Sequence, residues 1–260
     1  MLQGKTALIT GSTSGIGLGI AQALAAQGAH IVLNGFGDAA KAQTVVQAAG
    51  AAHAIRVEHH GADMGQPSEI EELMAFAAAR FGRVDILVNN AGIQHVAPVH
   101  AFPLDKWDAI LAINLSSAFH TTRLALPAMQ QANWGRIINV ASVHGLVGSV
   151  HKSAYVAAKH GLVGLTKVTA LEHATTGITC NAICPGWVLT PLVQQQVDAK
   201  AAAEGLSNAQ ATQQLLGEKE PSCQFTTPQE LGALAVFLCS AAADNVRGVA
   251  WNMDGGWTAQ

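Results

Sequence analysis

Short apolar runs alternate with helical-period segments along all 260 residues, and that alternation predicts an α/β fold built on a parallel sheet. Two observations narrow it. The strand-like runs are apolar throughout, as expected of strands covered on both faces. The first run also enters the first helical segment through a glycine-rich turn, a feature of open sheets that wind both ways from a central strand. The expectation is one doubly wound parallel sheet of about seven strands with helices on both faces.

The strands are read, in order, at residues 6–10, 30–34, 54–59, 86–89, 136–141, 179–183 and 250–253. Segments rich in Ala, Leu and Gln fill the intervals at 16–27, 67–81, 106–130, 153–175 and 228–240, long enough for helices. Residues 190–227 break the rhythm: they are rich in Gln and Ala and nearly devoid of strand signal. They are long enough for a small helical lid over the sheet edge. No Pro/Ser-rich linker, repeat or low-complexity tract divides the chain. Residues 1–260 therefore read as one domain, with 190–227 a substrate-lid segment within it.

Composition excludes several classes. Half of the residues are hydrophobic and the net charge is −3, which excludes a disordered chain. No basic excess points to nucleic acid. Residues 6–37 carry no formal charge, but polar residues and glycines punctuate them, unlike a span of ~20 apolar residues. The chain starts on a strand without a basic, apolar leader, so a cytoplasmic enzyme is expected. Cys180, Cys184, Cys223 and Cys239 lack zinc or redox spacing and read as small buried hydrophobes. The eleven histidines are scattered, and no metal site is expected. Charged residues make up only 12% of the chain, about half the usual ~25%. Burial against sister subunits would explain that scarcity.

Thr10-Gly11-Ser12-Thr13-Ser14-Gly15-Ile16-Gly17 lies between the first strand and first helix. Glycines there permit a tight turn and close backbone approach to a pyrophosphate, and the helix N-terminus offers free N–H groups. Asn89-Asn90-Ala91-Gly92, after the fourth strand, adds small residues at a second strand end, the pattern of a Rossmann-like ligand crevice. The second strand ends in Asn34-Gly35-Phe36-Gly37, without the acid that grips a ribose 2′-hydroxyl and without an Arg or Lys for a 2′-phosphate. That favours NAD over NADP, with Phe36 as an apolar wall beside the adenosine. Asp63 reads either as acceptor for the adenine amino group or as a turn cap.

Tyr155 is the only tyrosine, and Lys159 follows it by four residues, on the same helical face. An ammonium about 4 Å from a phenol contributes ~4 kcal/mol at an effective dielectric near 20. That predicts a phenol drawn down toward 7, fit for general acid–base work. Ser142 stands at a strand's carboxyl end, and Asn114 stands mid-helix, where propensity gives an amide no reason to be.

These motifs, with Pro185-Gly186 and Thr190, follow in order and spacing the pattern of the short-chain dehydrogenases/reductases. The resemblance extends to the terminal Asp254-Gly255-Gly256. It implies hydride transfer between NAD and a secondary alcohol. Tyr155 would take the hydroxyl proton, and Lys159 would hold the ribose hydroxyls. Ser142 would hydrogen-bond the reacting oxygen, and Asn114 would position a proton-relay water. Pro185, Gly186, Val188 and Thr190 would join Gly11, Thr13, Gly15, Ile16, Gly17, Asn90, Ala91 and Gly92 around the cofactor. The segments Gly92-Ile93-Gln94-His95, His144-Gly145-Leu146-Val147 and Cys184-Pro185-Gly186-Trp187-Val188 resemble the branch that interconverts D-3-hydroxybutyrate and acetoacetate. The family precedent is a homotetramer, with residues 106–130 and 153–175 packing across one dyad.

Charge placement speaks to substrate independently. Residues 109–171 contain no Asp or Glu, where about four are expected at the chain average, yet hold Arg123, Arg136, Lys152, Lys159 and Lys167. A cation-bearing wall around the catalytic residues favours a small anion. Lys152, three residues before Tyr155, would meet a carboxylate two carbons from the carbinol, helped by Gln94 and His144. The resemblance adds Gln196 from the lid. Trp187 and Leu192 would supply apolar walls, as would Trp257 from its own or a neighbouring subunit. The competing readings are a reductase of 3-oxoacyl thioesters, which leaves Lys152 without a partner, and a non-catalytic dinucleotide sensor, which has no use for a tuned phenol.

Overall fold

A seven-stranded sheet in the order β3-β2-β1-β4-β5-β6-β7 forms the centre of the molecule. The structure, a computed structural model, describes residues 1–259; the side chain of Leu192 also lies outside the described residues. The strands are β1 (Thr6–Ile9), β2 (His30–Asn34), β3 (Val57–His60), β4 (Ile86–Asn89), β5 (Gly135–Val140), β6 (Ile178–Pro185) and β7 (Ala250–Met253). All pairings are parallel. Strands β1, β4, β5 and β6 are buried along their whole length, which is why they read as uninterrupted apolar runs. β3 is an edge strand with half-buried residues and begins three residues later than the sequence suggests, because Ile55 packs into the core outside the ladder.

Helices α1 (Gly15–Ala26), α2 (Ala39–Ala49) and α9 (Pro228–Cys239) are joined by α3 (Pro67–Phe81), α4 (Leu104–Leu111), α5 (Ser117–Gln131) and α6 (Ser153–Glu172). Strong sequence signals start several of them. Pro67 and Pro228 occupy first-turn positions, where the missing N–H costs nothing. Thr227 and Glu230 form a reciprocal capping box on α9. The chain order reverses between β1 and β4, the switch point at which a doubly wound sheet opens a crevice.

A buried polar ladder runs beneath that crevice. Thr121 on α5 donates to Asn89 (2.6 Å), Asn89 donates to Asn139 (2.8 Å), and Asn139 donates to Thr166 on α6 (2.8 Å). Asn89 and Asn139 lie opposite each other in the β4–β5 register. A one-residue slip would leave these amides unpaired in the core, so the ladder fixes the register.

The segment expected as one helix over 106–130 is two helices joined by a π-turn at Ala112–Ser116, centred on Asn114. The lid region holds α7 (Pro191–Glu204) and α8 (Asn208–Gly217), packed around Val197, Ala201 and Ala211. Of the cysteines expected to be buried, Cys180, Cys184 and Cys239 are; Cys223 is exposed on the turn after α8. Among the described residues no helix is long and apolar enough to cross a membrane.

Candidate active site

Two cavities follow the crevice along the carboxyl ends of the strands. One, about 220 Å³, is bordered by Gly11, Thr13, Phe36, Asp63 and Ala91. The other, about 270 Å³, is bordered by Ile16, Asn90, Tyr155, Lys159, Pro185, Gly186, Val188 and Thr190. Gly92 borders both. Gly15 and Gly17 border neither but shape the turn. Gly15 sits at a φ of +55°. A Cβ on Gly17 would lie 2.5 Å from the Asn90 amide nitrogen and 2.6 Å from the Gly11 carbonyl oxygen, so only glycine fits.

This turn suits a dinucleotide phosphate. The Ser14 side chain makes no capping bond, so the first-turn N–H groups of α1 have no side-chain partner where the crevice begins. Asn90 stitches the turn to β4 by donating to the carbonyls of Thr10 and Gly11 at 2.9 Å each. Asn34, unassigned from the sequence, accepts from the Gly11 N–H (3.2 Å) and donates to the Ala62 carbonyl (2.9 Å). It braces the glycine turn from β2. At the adenosine end Phe36 is 77% exposed and borders the cavity from its rim. One Asp63 carboxylate oxygen caps a turn by accepting from the Gly65 N–H (2.8 Å), the blander of its two readings.

Tyr155 and Lys159 stand on successive turns of α6, opposite Ser142 at the end of β5. Lys159 is 3% exposed and donates from Nζ to the Val140 carbonyl at 2.7 Å. Its ammonium is 5.6 Å from the centre of the Tyr155 ring. The expected depression of the phenol is not found. Burial pushes Tyr155 above its ordinary value, opposed by a hydrogen bond with Ser142. Burial instead brings Lys159 down to about 8. The charge expected to tune the phenol is anchored on a backbone carbonyl, and desolvation of both groups outweighs it.

Asn114 is buried in the π-turn. Its Oδ1 accepts from the Ile93 N–H and its Nδ2 donates to the Ile93 carbonyl, both at 2.9 Å. The side chain is thus committed to the loop after β4, the loop that carries Gln94. The amide that helix propensity leaves unexplained lies in a π-turn beside a loop that borders the cavity.

A further cavity of about 310 Å³ adjoins this group and shares Gln94, Ser142, Tyr155, Gly186 and Trp187 with the cofactor crevice. His144, Lys152, Gln196 and Trp257 also line it, with Val96, Val143 and Val193. Every residue expected around the substrate therefore borders one space, except Leu192, whose side chain lies outside the described residues. His144 packs edge-on against Trp257, with ring centres 5.3 Å apart, and its Nδ1 is buried without a hydrogen-bond partner among the described residues. Burial, then the charge of Lys152, brings His144 down to about 4, so it is neutral at pH 7. Lys152 caps α6, half-buried, and burial lowers its ammonium below the usual lysine range. Among the described residues its ammonium makes no hydrogen bond or ion pair.

The acid-free window is only partly preserved in space. Arg123 pairs with Glu71 (3.2 Å) and Arg136 pairs with Asp244, so neither serves the pocket. Two acids from outside the window come close instead. Glu220 accepts from the Trp187 N–H, and Asp254 lies against Gly186. Sequence reasoning had Asp254 only as part of the terminal motif and missed Glu220, which sits in the charged run Glu218-Lys219-Glu220.

A profile of the short chain dehydrogenases matches residues 5–201. The chain belongs to the short-chain dehydrogenase family. Members of this family carry an NAD(P)-binding Rossmann fold, and this sheet is that fold. Among curated short-chain dehydrogenases, the chain is 69% identical over 260 residues to D-beta-hydroxybutyrate dehydrogenase of Cupriavidus necator, covering 100% of both chains. It is 53% identical over 256 residues to the enzyme of the same name from Rhizobium meliloti, covering 98% of this chain and 99% of that one. Among solved structures, actinorhodin polyketide ketoreductase with NADPH superposes with a TM-score of 0.90 at 34% identity, covering 99% of each chain.

Proposed function

We propose that this short-chain dehydrogenase interconverts D-3-hydroxybutyrate and acetoacetate with NAD. The observation that carries the reading is Lys152. A half-buried ammonium without an acid partner among the described residues borders the same 310 Å³ cavity as the Tyr155 phenol. A carboxylate two carbons from the reacting carbinol would neutralise it; a thioester would not. The names of the two relatives support the same substrate.

NAD bound in the crevice supplies the hydride acceptor. Gly11, Gly15, Gly17 and the first turn of α1 would hold its pyrophosphate, and Lys159 and Thr190 its nicotinamide half. The absence of a cation at the end of β2 supports NAD over NADP. Ser142 and Tyr155 hydrogen-bond the carbinol oxygen, and Tyr155 takes its proton. To take that proton Tyr155 must first give up its own: burial disfavours the bare phenolate, and the Ser142 hydrogen bond and the Lys159 charge are what stabilise it. Lys152 holds the carboxylate by charge, and neutral His144, Gln94 and Gln196 hold it by hydrogen bonds. Residues 190–227, including α7 and α8, close over the pocket and exclude water.

Leu104, Phe119, Val168 and Leu171 leave apolar side chains exposed along α4, α5 and α6, which supports a homotetramer covering this face. The deciding assay compares acetoacetate with an acetoacetyl thioester, each with NADH and NADPH. The reading requires acetoacetate with NADH to give the highest kcat/KM. A large preference for the thioester, or for NADPH, refutes the corresponding half.

A further inference from the structure

Glu220 is the most deeply enclosed acid of the described residues, at 0% exposure. It lies three residues beyond the end of α8, its N–H bonded to the Leu216 carbonyl (2.7 Å). One carboxylate oxygen accepts from the Trp187 backbone N–H. The other is buried without a hydrogen-bond partner among the described residues. Three separate chain segments meet on this group. Gly186 is packed so closely that a Cβ there would lie 2.1 Å from Glu220 Oε1 and 3.0 Å from the Asp254 Cα. A Cβ on Gly255 would lie 3.2 Å from Glu220 Oε2. Backbone bonds complete the junction: Gly186 N–H to the Met253 carbonyl and Ser222 N–H to the Gly255 carbonyl, both 3.0 Å.

The junction supports the wall of the reaction space. Trp187 borders both the cofactor crevice and the substrate cavity, and Trp257 follows Gly255 by two residues. Ser142 follows β5, and Tyr155 and Lys159 stand on α6; they face the same cavity as Trp187, but none of them is joined by the bonds of the junction.

We propose that Glu220 is a positioning residue, whose buried carboxylate ties the end of the lid to the Gly186–Trp187 and Asp254–Gly255 turns and thereby sets the substrate wall. The inference rests on the reading of the 310 Å³ cavity as the substrate site. The groups around the carboxylate make its ionisation consequential. Asp254 faces it from the turn after β7, Lys219 precedes it in the chain, and the Gly186–Trp187 turn brings no ionisable side chain. Burial pushes Glu220 up to about 7, opposed by the Trp187 N–H and reinforced by Asp254. The junction is therefore held by a mixture of carboxylate and carboxylic acid near neutral pH. Glutamine reproduces the acid: one oxygen to accept from Trp187 and a donor on the other side.

The test uses full-length Glu220→Ala and Glu220→Gln. Hydrogen exchange of the peptide over residues 184–189 is measured without substrate, and kcat and KM for 3-hydroxybutyrate are measured from pH 6 to 9. Removing a charge-assisted bond predicts about a tenfold rise in KM for Glu220→Ala, larger than its fall in kcat. Exchange over 184–189 should quicken while exchange over 135–140 stays slow. Glu220→Gln should restore KM and exchange but lose an ionisation near pH 7 that wild type shows in kcat/KM. Unchanged exchange over 184–189 in the alanine variant overturns the proposal. So does equal quickening over 135–140, or a glutamine profile superimposable on wild type. Should the alanine variant not fold, the glutamine profile decides. Should wild type not turn over 3-hydroxybutyrate, the functional reading fails, and the exchange comparison still judges the junction.

Discussion

Replacing Lys152 isolates the charge contact with the substrate. Lys152→Met keeps the stem that covers the cavity wall and removes only the ammonium. An ammonium and a carboxylate about 4 Å apart at an effective dielectric near 20 attract by ~4 kcal/mol. Lys152 is half-buried, so desolvation of both charges takes back a share of that. About 2 kcal/mol remains, within the range for hydrogen bonds to charged groups. At 1.36 kcal/mol per tenfold change, that is about a thirtyfold loss in kcat/KM, carried mostly by KM. The assay is steady-state oxidation of D-3-hydroxybutyrate and of its methyl ester by wild type and variant, with NAD saturating. The ester has no charge to lose, so its kcat/KM should change less than about threefold. An equal loss on both substrates would mean that Lys152 supports the fold of the pocket and not the carboxylate. No loss on either would remove it from the site.

Tyr155→Phe keeps the edge-on packing against His144 and deletes the proton acceptor. Turnover should fall by about 10²- to 10⁴-fold while NADH binding, followed by fluorescence, persists; activity within tenfold of wild type would disqualify the phenol. His144 is held at about 4 by burial and by Lys152, below its ordinary 6.5. Between those values the unfolded chain binds a proton that the folded chain refuses, so stability falls as pH drops from about 6.5 toward 4. In denaturant titrations at several pH values, His144→Gln should flatten that decline by up to one proton's slope. A slope identical to wild type would show that His144 protonates freely in the folded state.

The sheet and its order of elements were legible because burial on both faces leaves continuous apolar runs, and the grouping of the candidate site residues was legible because their spacing is local. Tyr155 and Lys159 share a helix, and Gly11, Gly15 and Gly17 share a turn. What escaped depends on residues distant in sequence. No local pattern shows that Asn34 braces Gly11 or that a helix of uniform appearance pauses in a π-turn at Asn114. The Tyr155 shift was misjudged for the same reason. The i, i+4 spacing places Lys159 nearby, but the Val140 carbonyl that takes its ammonium comes from another strand.

The electrostatics of the pocket follow from tertiary placement more than from the acid-free window. Of its five cations, Arg123 and Arg136 are neutralised by Glu71 and Asp244, while Lys152 and Lys159 remain at the cavities. Two acids then arrive beside Trp187, and a pair of buried carboxylates would repel an anionic substrate unless one of them kept its proton. The hydrogen bonding distinguishes the two. Asp254 accepts from the N–H groups of Gly256 (3.1 Å) and Thr258 (3.0 Å) and from the Thr258 hydroxyl (2.5 Å). Among the described residues Glu220 accepts from Trp187 alone, with its second oxygen unpaired, and it is the one pushed up to about 7. Raising the pH through 7 therefore adds negative charge behind the substrate wall while burial is already drawing charge from Lys159 near 8. Both changes weaken the hold on a carboxylate. Capture of 3-hydroxybutyrate should accordingly decline on the alkaline side, even as the alcohol proton becomes easier to remove.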